Sequence, residues 1–448
     1  MEQNRILEGS IYKNIMMFFL PIWMGTFFQQ LYNTADAVIV GNFVGKQALA
    51  AVGGPTGTII NLLIGFFVGL SGGASVVVAK YYGARMGEQS EKALHTAVAL
   101  SIAGGILLMA VGIPFSPYAL KMMGTPADIM DYACTYIRIY FAGSVFNMIY
   151  NIGSGILRAM GNSRKPLQFL IVASLVNIVL DIILVAVFKM GVAGVGIATV
   201  ISQIVSAVLV IGSLKHMRGP ISFSWQNLSM EKSMCSEIFT IGIPAGLQSV
   251  MYSLSNIIIQ SGINSFGTDT VAAWTAYGKL DAVFWMTVSS FGITATTFAS
   301  QNFGAGNYDR MRQCIKACAA LAAGFSVALS LMLYVGCPVF YQLFTRDARV
   351  IDIGVKVIHS LTPFYVVYVG VEVLSGSLRG VGDSLIPTVI TTIGVCVLRV
   401  AWVALAVPLN PVFDTVILSY PITWTVTSIA FIIYYMKGNW FKKALANK

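Results

Sequence analysis

Apolar runs of about 20 to 30 residues recur along the whole chain, and that recurrence leaves few folds open. At a 1.5 Å rise per residue, each run makes a helix long enough for a hydrocarbon layer of about 30 Å. No water reaches backbone polar groups in that layer, so a spanning segment must bond its own N–H and C=O groups, as a helix does. The short alternating segments of a transmembrane barrel are absent. Composition agrees: 56% of the 448 residues are hydrophobic and 10% charged, against about 25% charged in soluble domains. The chain therefore reads as an all-α integral membrane protein with twelve transmembrane helices. They are expected near 14–41, 48–80, 92–116, 127–155, 166–188, 192–214, 236–263, 269–302, 314–341, 350–377, 385–408 and 414–436.

The net charge of +10 is a topology signal rather than a nucleic-acid footprint. One set of connections carries residues such as Arg5, Lys13, Lys80, Arg85, Arg158, Arg164, Lys165, Lys215, Arg310, Arg312, Arg379, Lys437 and Lys448. The other holds only Lys46, Lys121, Lys189, Arg346, Arg349 and Lys356. By the positive-inside rule both termini are expected in the cytoplasm. The first run is too long for a signal peptide and lacks a small-residue cleavage site, so it is expected to be retained. The six cysteines, Cys134, Cys235, Cys314, Cys318, Cys337 and Cys396, show no zinc or redox spacing and read as membrane packing. No cofactor is expected.

The chain is internally duplicated. Placing Pro21 on Pro244 also aligns Leu31 with Leu254, Asn33 with Asn256, Phe43 with Phe266 and Ala50 with Ala273, at a spacing of 223 residues. SGILRAMGNSRKP at 154–166 lies over SGSLRGVGDSLIP at 375–387, and YYGAR at 81–85 over NFGAG at 302–306. Each half has six spans, an even number, so the halves are parallel repeats: two six-helix bundles with a central cleft, where secondary transporters place substrate. The expected division is 1–214, a cytoplasmic linker at 215–235 containing Arg218, Gly219 and Pro220, and 236–448. The repeated motif predicts a helix ending after Arg158 or Arg379 and stopping at Gly161 or Gly382. It restarts on a Ser163 or Ser384 cap, with Pro166 or Pro387 in the first turn. Pro21, Pro244 and Pro363 fall inside spans and should kink them.

Ionisable residues at bilayer depth cost roughly 2.5 to 3.5 kcal/mol on insertion scales and usually serve a function. In the first span Gln29, Asn33 and Asp36 fall on one helix face, opposite Phe27, Val38 and Ile39. In the fifth, Asn177 and Asp181 share a face; in the sixth, Thr199, Ser202 and Gln203 do. The N-terminal half thus has two intramembrane carboxylates and no deep basic residue except Arg138. Two neighbouring carboxylates in low dielectric need a cation between them or a proton on one, and oxygen-only ligands suit a hard ion such as Na+. For Asn177, Thr199, Ser202 and Gln203, hydrogen bonding between helices is the alternative. The acidic pair is not duplicated: Asp36 aligns with Ile259 and Asp181 with Trp402. In the second half Lys279, Asp281, Glu372 and Arg399 have opposite signs, which would let them neutralise one another, and they read as structural pairs or gates, with Glu372 the one expected to touch ligand. Met251, Tyr252, Trp274, Tyr277, Trp285 and Met286 are candidates for an adaptable cleft lining.

These residues carry a family resemblance. Pro21 followed by Asp36, GARMGE at 83–88, the SGILRAMGNS and SGSLRGVGDS pair and the Asn177, Asp181, Thr199 spacing resemble the multidrug and toxic compound extrusion (MATE) transporters over essentially the whole chain. The resemblance implies export of small amphipathic, often cationic compounds driven by inward Na+ or H+. It implies a coupling site at Asp36, Asn177, Asp181 and Thr199, with Na+ as one candidate occupant. The seventh span has Gln248 and Gln260 but no acid, which looks more like the DinF branch than the NorM branch. Candidate substrate contacts are Gln29, Asn33, Met251, Asn256, Tyr277, Glu372 and Arg399. The chain is expected to be a monomer in a prokaryotic plasma membrane, to bind no nucleic acid and to catalyse no reaction. His95, His216 and His359 are far apart in sequence and form no catalytic arrangement. A lipid-linked oligosaccharide or lipid flippase of the same superfold is the alternative; it would want a cleft rich in arginine and lysine.

Overall fold

The computed structural model describes residues 5–217 and 221–446, so Arg218, Gly219 and Pro220 of the expected linker, and Lys448, lie outside the described residues. Among the described residues seventeen α-helices follow in order. They are α1 (Ile11–Phe43), α2 (Lys46–Gly53), α3 (Pro55–Gly83), α4 (Gly87–Met122), α5 (Ala127–Ala142), α6 (Ser144–Ala159), α7 (Arg164–Asp181), α8 (Gly191–Lys215) and α9 (Lys232–Asn264). Then come α10 (Thr268–Gly304), α11 (Tyr308–Gln342), α12 (Ala348–Leu361), α13 (Tyr365–Gly380), α14 (Leu385–Thr391), α15 (Leu398–Leu409), α16 (Phe413–Lys437) and α17 (Trp440–Ala446). Among the described residues ten stretches are long and apolar enough to cross a membrane. The interrupted pair α5–α6 and the polar-rich α9 complete twelve spans.

Two features differ from a plain reading of hydropathy. A π-helical segment, Ile182–Val187, continues α7 directly after Asp181, and another, Thr392–Val397, joins α14 to α15 just before Arg399. Pro363 lies inside one spanning stretch, Ala348–Gly380, as expected, in a 3₁₀ turn, Thr362–Phe364, that joins α12 to α13. A proline lacks the N–H that the α-helical ladder needs, so the bonding tightens there before the helix continues. Pro21 and Pro244 lie inside α1 and α9.

The duplication extends to turn geometry. After α6 and α13, Gly161 and Gly382 take positive φ of 90° and 92°. Asn162 N donates to Leu157 O at 2.9 Å and Asp383 N to Leu378 O at 3.0 Å, the six-to-one bond that closes a helix on a left-handed residue. Neither serine after these glycines caps through its side chain. Asn162 Oδ1 takes that part in the first half, accepting from Lys165 N at 3.1 Å, because its carbonyl already reaches the first turn.

By contacts the chain divides into residues 20–246 and residues up to 19 with 247–448. The division runs through α1 and α9 rather than through 215–235. In the first unit α6 packs against α3, α4 and α8; in the second, α13 packs against α10, α11 and α16. The first unit's core extends beyond its own spans. Ile221 and Phe223 from the connection, and Met234, Ile238 and Ile241 from the start of α9, join Val76, Val77, Leu94, Ile156 and Leu214 in one buried cluster. Residues 221–231 of the connection therefore form a folded strap, held because two of its apolar side chains leave water. Reciprocally, Phe18 and Phe19 at the start of α1 pack on Phe298 and Phe291 of α10 within the second unit.

Candidate functional site

Asp36 (7% exposed), Asn177 and Asp181 (both 0%) and Thr199 (2%) are buried together in the unit 20–246. Asn177 and Asp181 sit one turn apart at the end of α7, and the π segment begins with the next residue. The Asp36 and Asp181 carboxyl groups are close enough for a hydrogen bond once one carries a proton. Tyr136 of α5 interacts with both carboxyl groups and with Thr199; Tyr32 of α1 also faces Asp36 and Asp181. Thr199 Oγ1 donates to Val195 O at 2.9 Å, so its proton is committed and its lone pairs remain available.

Hydrogen-bond accounting identifies what this cluster lacks. Asp36 Oδ1, both Asp181 oxygens, and both Asn177 amide atoms are buried without a partner. Among the described residues no salt bridge reaches either aspartate. Arg138, the basic residue deep in this half, is exposed. Buried polar atoms are ordinarily satisfied, and an unpaired buried carboxylate is costlier still. The cluster is thus rich in unpartnered acceptor oxygens, with the Asn177 amide N–H as a donor among them and no basic partner among the described residues, fit for a proton or a hard cation.

Several expectations need correction. Gln29 and Asn33 do not share a buried face with Asp36: both are exposed, whereas Ile39, expected on the opposite side, is buried. Angular position on a helix sets direction only; burial depends on whether another helix covers that turn. In the second half Lys279, Asp281, Glu372 and Arg399 do not neutralise one another. Among the described residues no salt bridge joins them. Asp281 instead accepts from Trp285 Nε1 at 2.5 Å and Tyr365 Oη at 2.6 Å, and Tyr365 also meets Tyr277 Oη at 3.2 Å. Arg399 lies 4.1 Å over the Tyr420 ring and reaches Thr423 Oγ1 at 3.4 Å. Lys279 is exposed, because two residues from Asp281 is the other side of the helix.

Among the expected substrate contacts of the second unit, Glu372 and Arg399 both stand near Tyr252 and Tyr368. In the second unit Tyr277 and Arg399 are buried, Met251 and Glu372 half-buried and Asn256 exposed. Glu372 packs its carboxyl group against Gly292. Sequence reasoning missed Tyr32, Tyr136 and Tyr140 around the acidic pair, and the Tyr252–Tyr368 hydroxyl bond of 2.7 Å beside Trp424. Tyrosines spaced four apart, as Tyr136 and Tyr140 are, were the available signal. The π segment after Asp181 had none.

The MatE family model matches the chain twice, over residues 21–183 and again over 244–405. The chain belongs to the MatE family. Its two matched copies begin 223 residues apart, the spacing of Pro21 and Pro244. This MatE protein is similar to the probable multidrug resistance protein YpnP of Bacillus subtilis (strain 168), 28% identical over 441 residues covering 97% of this chain and 96% of that one. It is 27% identical over 391 residues to the probable multidrug resistance protein YoeA of the same strain, covering 86% and 84%. A solved structure, the outward-facing conformation of a multidrug resistance MATE family transporter of the MOP superfamily, aligns with a TM-score of 0.91. It covers 99% of both chains at 23% identity, a likeness of fold. The protein is thus a multi-pass membrane protein of a transporter family.

Proposed function

We propose that this protein is a secondary antiporter that exports small amphipathic, cationic organic compounds against an inward flow of H+ or Na+. The observation that carries the proposal is the Asp36–Asp181 pair: two buried, adjacent carboxyl groups with orphaned oxygens and no basic partner. Like charges this close cannot both remain ionised in a dry interior without a compensating cation. Asp36 and Asp181 supply the charge. Asn177 Oδ1 and the Thr199 hydroxyl are the neutral oxygens that would complete a Na+ shell, with Thr199 held by its bond to Val195 O. With H+ instead, one proton shared by the two carboxyl groups serves the same end.

Cation binding drives a cycle only if it favours one conformation over the other. The π segment beginning at Ile182 is the natural element to respond, since its extra residue per turn leaves the backbone next to Asp181 irregular. The names of YpnP and YoeA, both probable multidrug resistance proteins, support organic substrates. Enrichment of Lys and Arg in one set of connections supports cytoplasmic termini. The test is dye efflux from everted membrane vesicles with Na+ and H+ gradients imposed separately. Wild-type protein should respond to one of them and Asp36→Asn to neither; undiminished export by Asp36→Asn ends the proposal.

A further inference from the structure

The start of α9 is held by a charge pair. Glu237 offers both oxygens: Lys80 Nζ meets Oε1 at 2.7 Å and Tyr81 Oη donates to Oε2 at 2.9 Å. The pair is partly buried, with the Lys80 side chain 16% and the Glu237 side chain 25% exposed. Upstream, the strap is tied to α4. His95 Nε2 meets the backbone of Ser224 at 3.1 Å, and Thr96 Oγ1 accepts from Glu231 N at 3.2 Å. Downstream, α9 lies on α3 along a seam of glycines. A Cβ on Gly242 would meet the Leu70 backbone and one on Gly246 the Phe66 carbonyl, while Gly69 and Gly73 face the same two glycines. Pro244 interrupts the helix's own bonding between them. Beyond Gly246, α9 belongs to the other unit.

The repeat supplies a control. The counterparts of Lys80 and Tyr81 are Gln301 and Asn302, and the counterpart of Glu237 is Asn14. There, bonds from side chains to backbone carbonyls hold residues 5–9. Asn302 Nδ2 and Arg310 Nε donate to Ile6 O at 3.5 and 3.2 Å, and Asn14 Nδ2 bonds Arg5 O and Glu8 O. Among the described residues no salt bridge stands at this second junction. The seam brings the α3 and α9 backbones into close approach, so the break in helix bonding at Pro244 is the place where the start of α9 can turn.

We propose that Lys80, Tyr81 and Glu237 form a releasable latch, and that residues 232–246 of α9 lift from α3 about the Gly242–Gly246 segment during transport. The latch itself is read from contacts alone; its place in a cycle rests on the antiport reading above.

Hydrogen exchange of the full chain in nanodiscs, read on the 232–246 peptides, tests it. Glu237→Gln should speed exchange of this arm at least fivefold, and the exchange of charges in Lys80→Glu with Glu237→Lys should restore protection. Tyr81→Phe, which keeps the ion pair, should give a smaller rise and serves if Glu237→Gln does not fold. Efflux by Glu237→Gln should fall severalfold and recover in the charge swap. Arm exchange within twofold of wild type in both single variants overturns the latch. Faster exchange with unchanged efflux overturns its role in the cycle. Loss of efflux in Asp36→Asn with normal arm exchange bears on coupling alone, so the two proposals fail separately.

Discussion

Asp36 and Ile259 occupy equivalent places in the two repeats, yet one half puts a carboxylate there and the other an apolar plug. In the first half Asp36 meets Asp181 with oxygens unpartnered. In the second, Ile259 is buried with Ile263 and Val416 against Val403, Val407 and Trp274. Trp402, the counterpart of Asp181, spends its indole N–H on Thr415 O at 2.8 Å. The contrast separates folding from function. A six-helix bundle of this design closes with either filling, so the acidic filling is kept at a cost in stability. The second half has charges of its own, but each is muffled singly, Asp281 by a phenol and an indole, Arg399 by an aromatic face and a threonine.

The comparison can be broken by exchanging the fillings. Asp36→Ile should abolish gradient-driven efflux, a loss of at least twentyfold in initial rate. Its thermal unfolding in detergent should stay equal to wild type or rise, because a buried acid has been replaced by a side chain the sister site accepts. A fall in unfolding temperature would show that the acid holds the bundle together. The reverse exchange, Ile259→Asp, should destabilise the chain by about 3 kcal/mol, the cost of placing an acid among apolar neighbours. It should create no new cation dependence, since no second acid stands opposite; thermal melts and efflux at varied Na+ and pH check both.

Smaller effects sharpen the picture. Arg399→Met removes a buried charge that has no carboxylate partner, and stability should change by less than about 1 kcal/mol or improve. Dye efflux should fall no more than threefold; a larger loss would give the second half a charge that transport requires. Thr199→Val keeps shape and removes one neutral oxygen from the acidic cluster. It should raise the half-saturating cation concentration about threefold to tenfold with little effect on maximal efflux, as measured in vesicles. Indifference to this change would remove Thr199 from the cation shell.

Much of this is legible in the order of residues. The helices follow from apolar length, because a membrane admits no other solution for their backbone groups. The repeat, and the left-handed glycines Gly161 and Gly382 that stop α6 and α13, follow from motif spacing, because only glycine takes that conformation without strain. The cation-site candidates Asp36, Asn177, Asp181 and Thr199 are legible because charge and amide groups are conspicuous in an apolar run. Less visible are the features that depend on neighbours. The exposure of Gln29 and Asn33 and the separate partners of Asp281 and Arg399 turn on contacts made, or not made, from other helices.

The sequence by itself determined that the chain spans a membrane, that it does so twice over with one design, and which half carries the paired acids. Those are properties of composition and order, and the hydrocarbon layer reads them directly. Only the tertiary structure decided that the two acids meet and that a π segment starts beside Asp181. It also decided that the strap and the first turns of α9 belong to the core of the first unit, with Glu237 set against Lys80 and Tyr81. These depend on distances between residues far apart in the chain, set by how whole helices pack rather than by any local pattern.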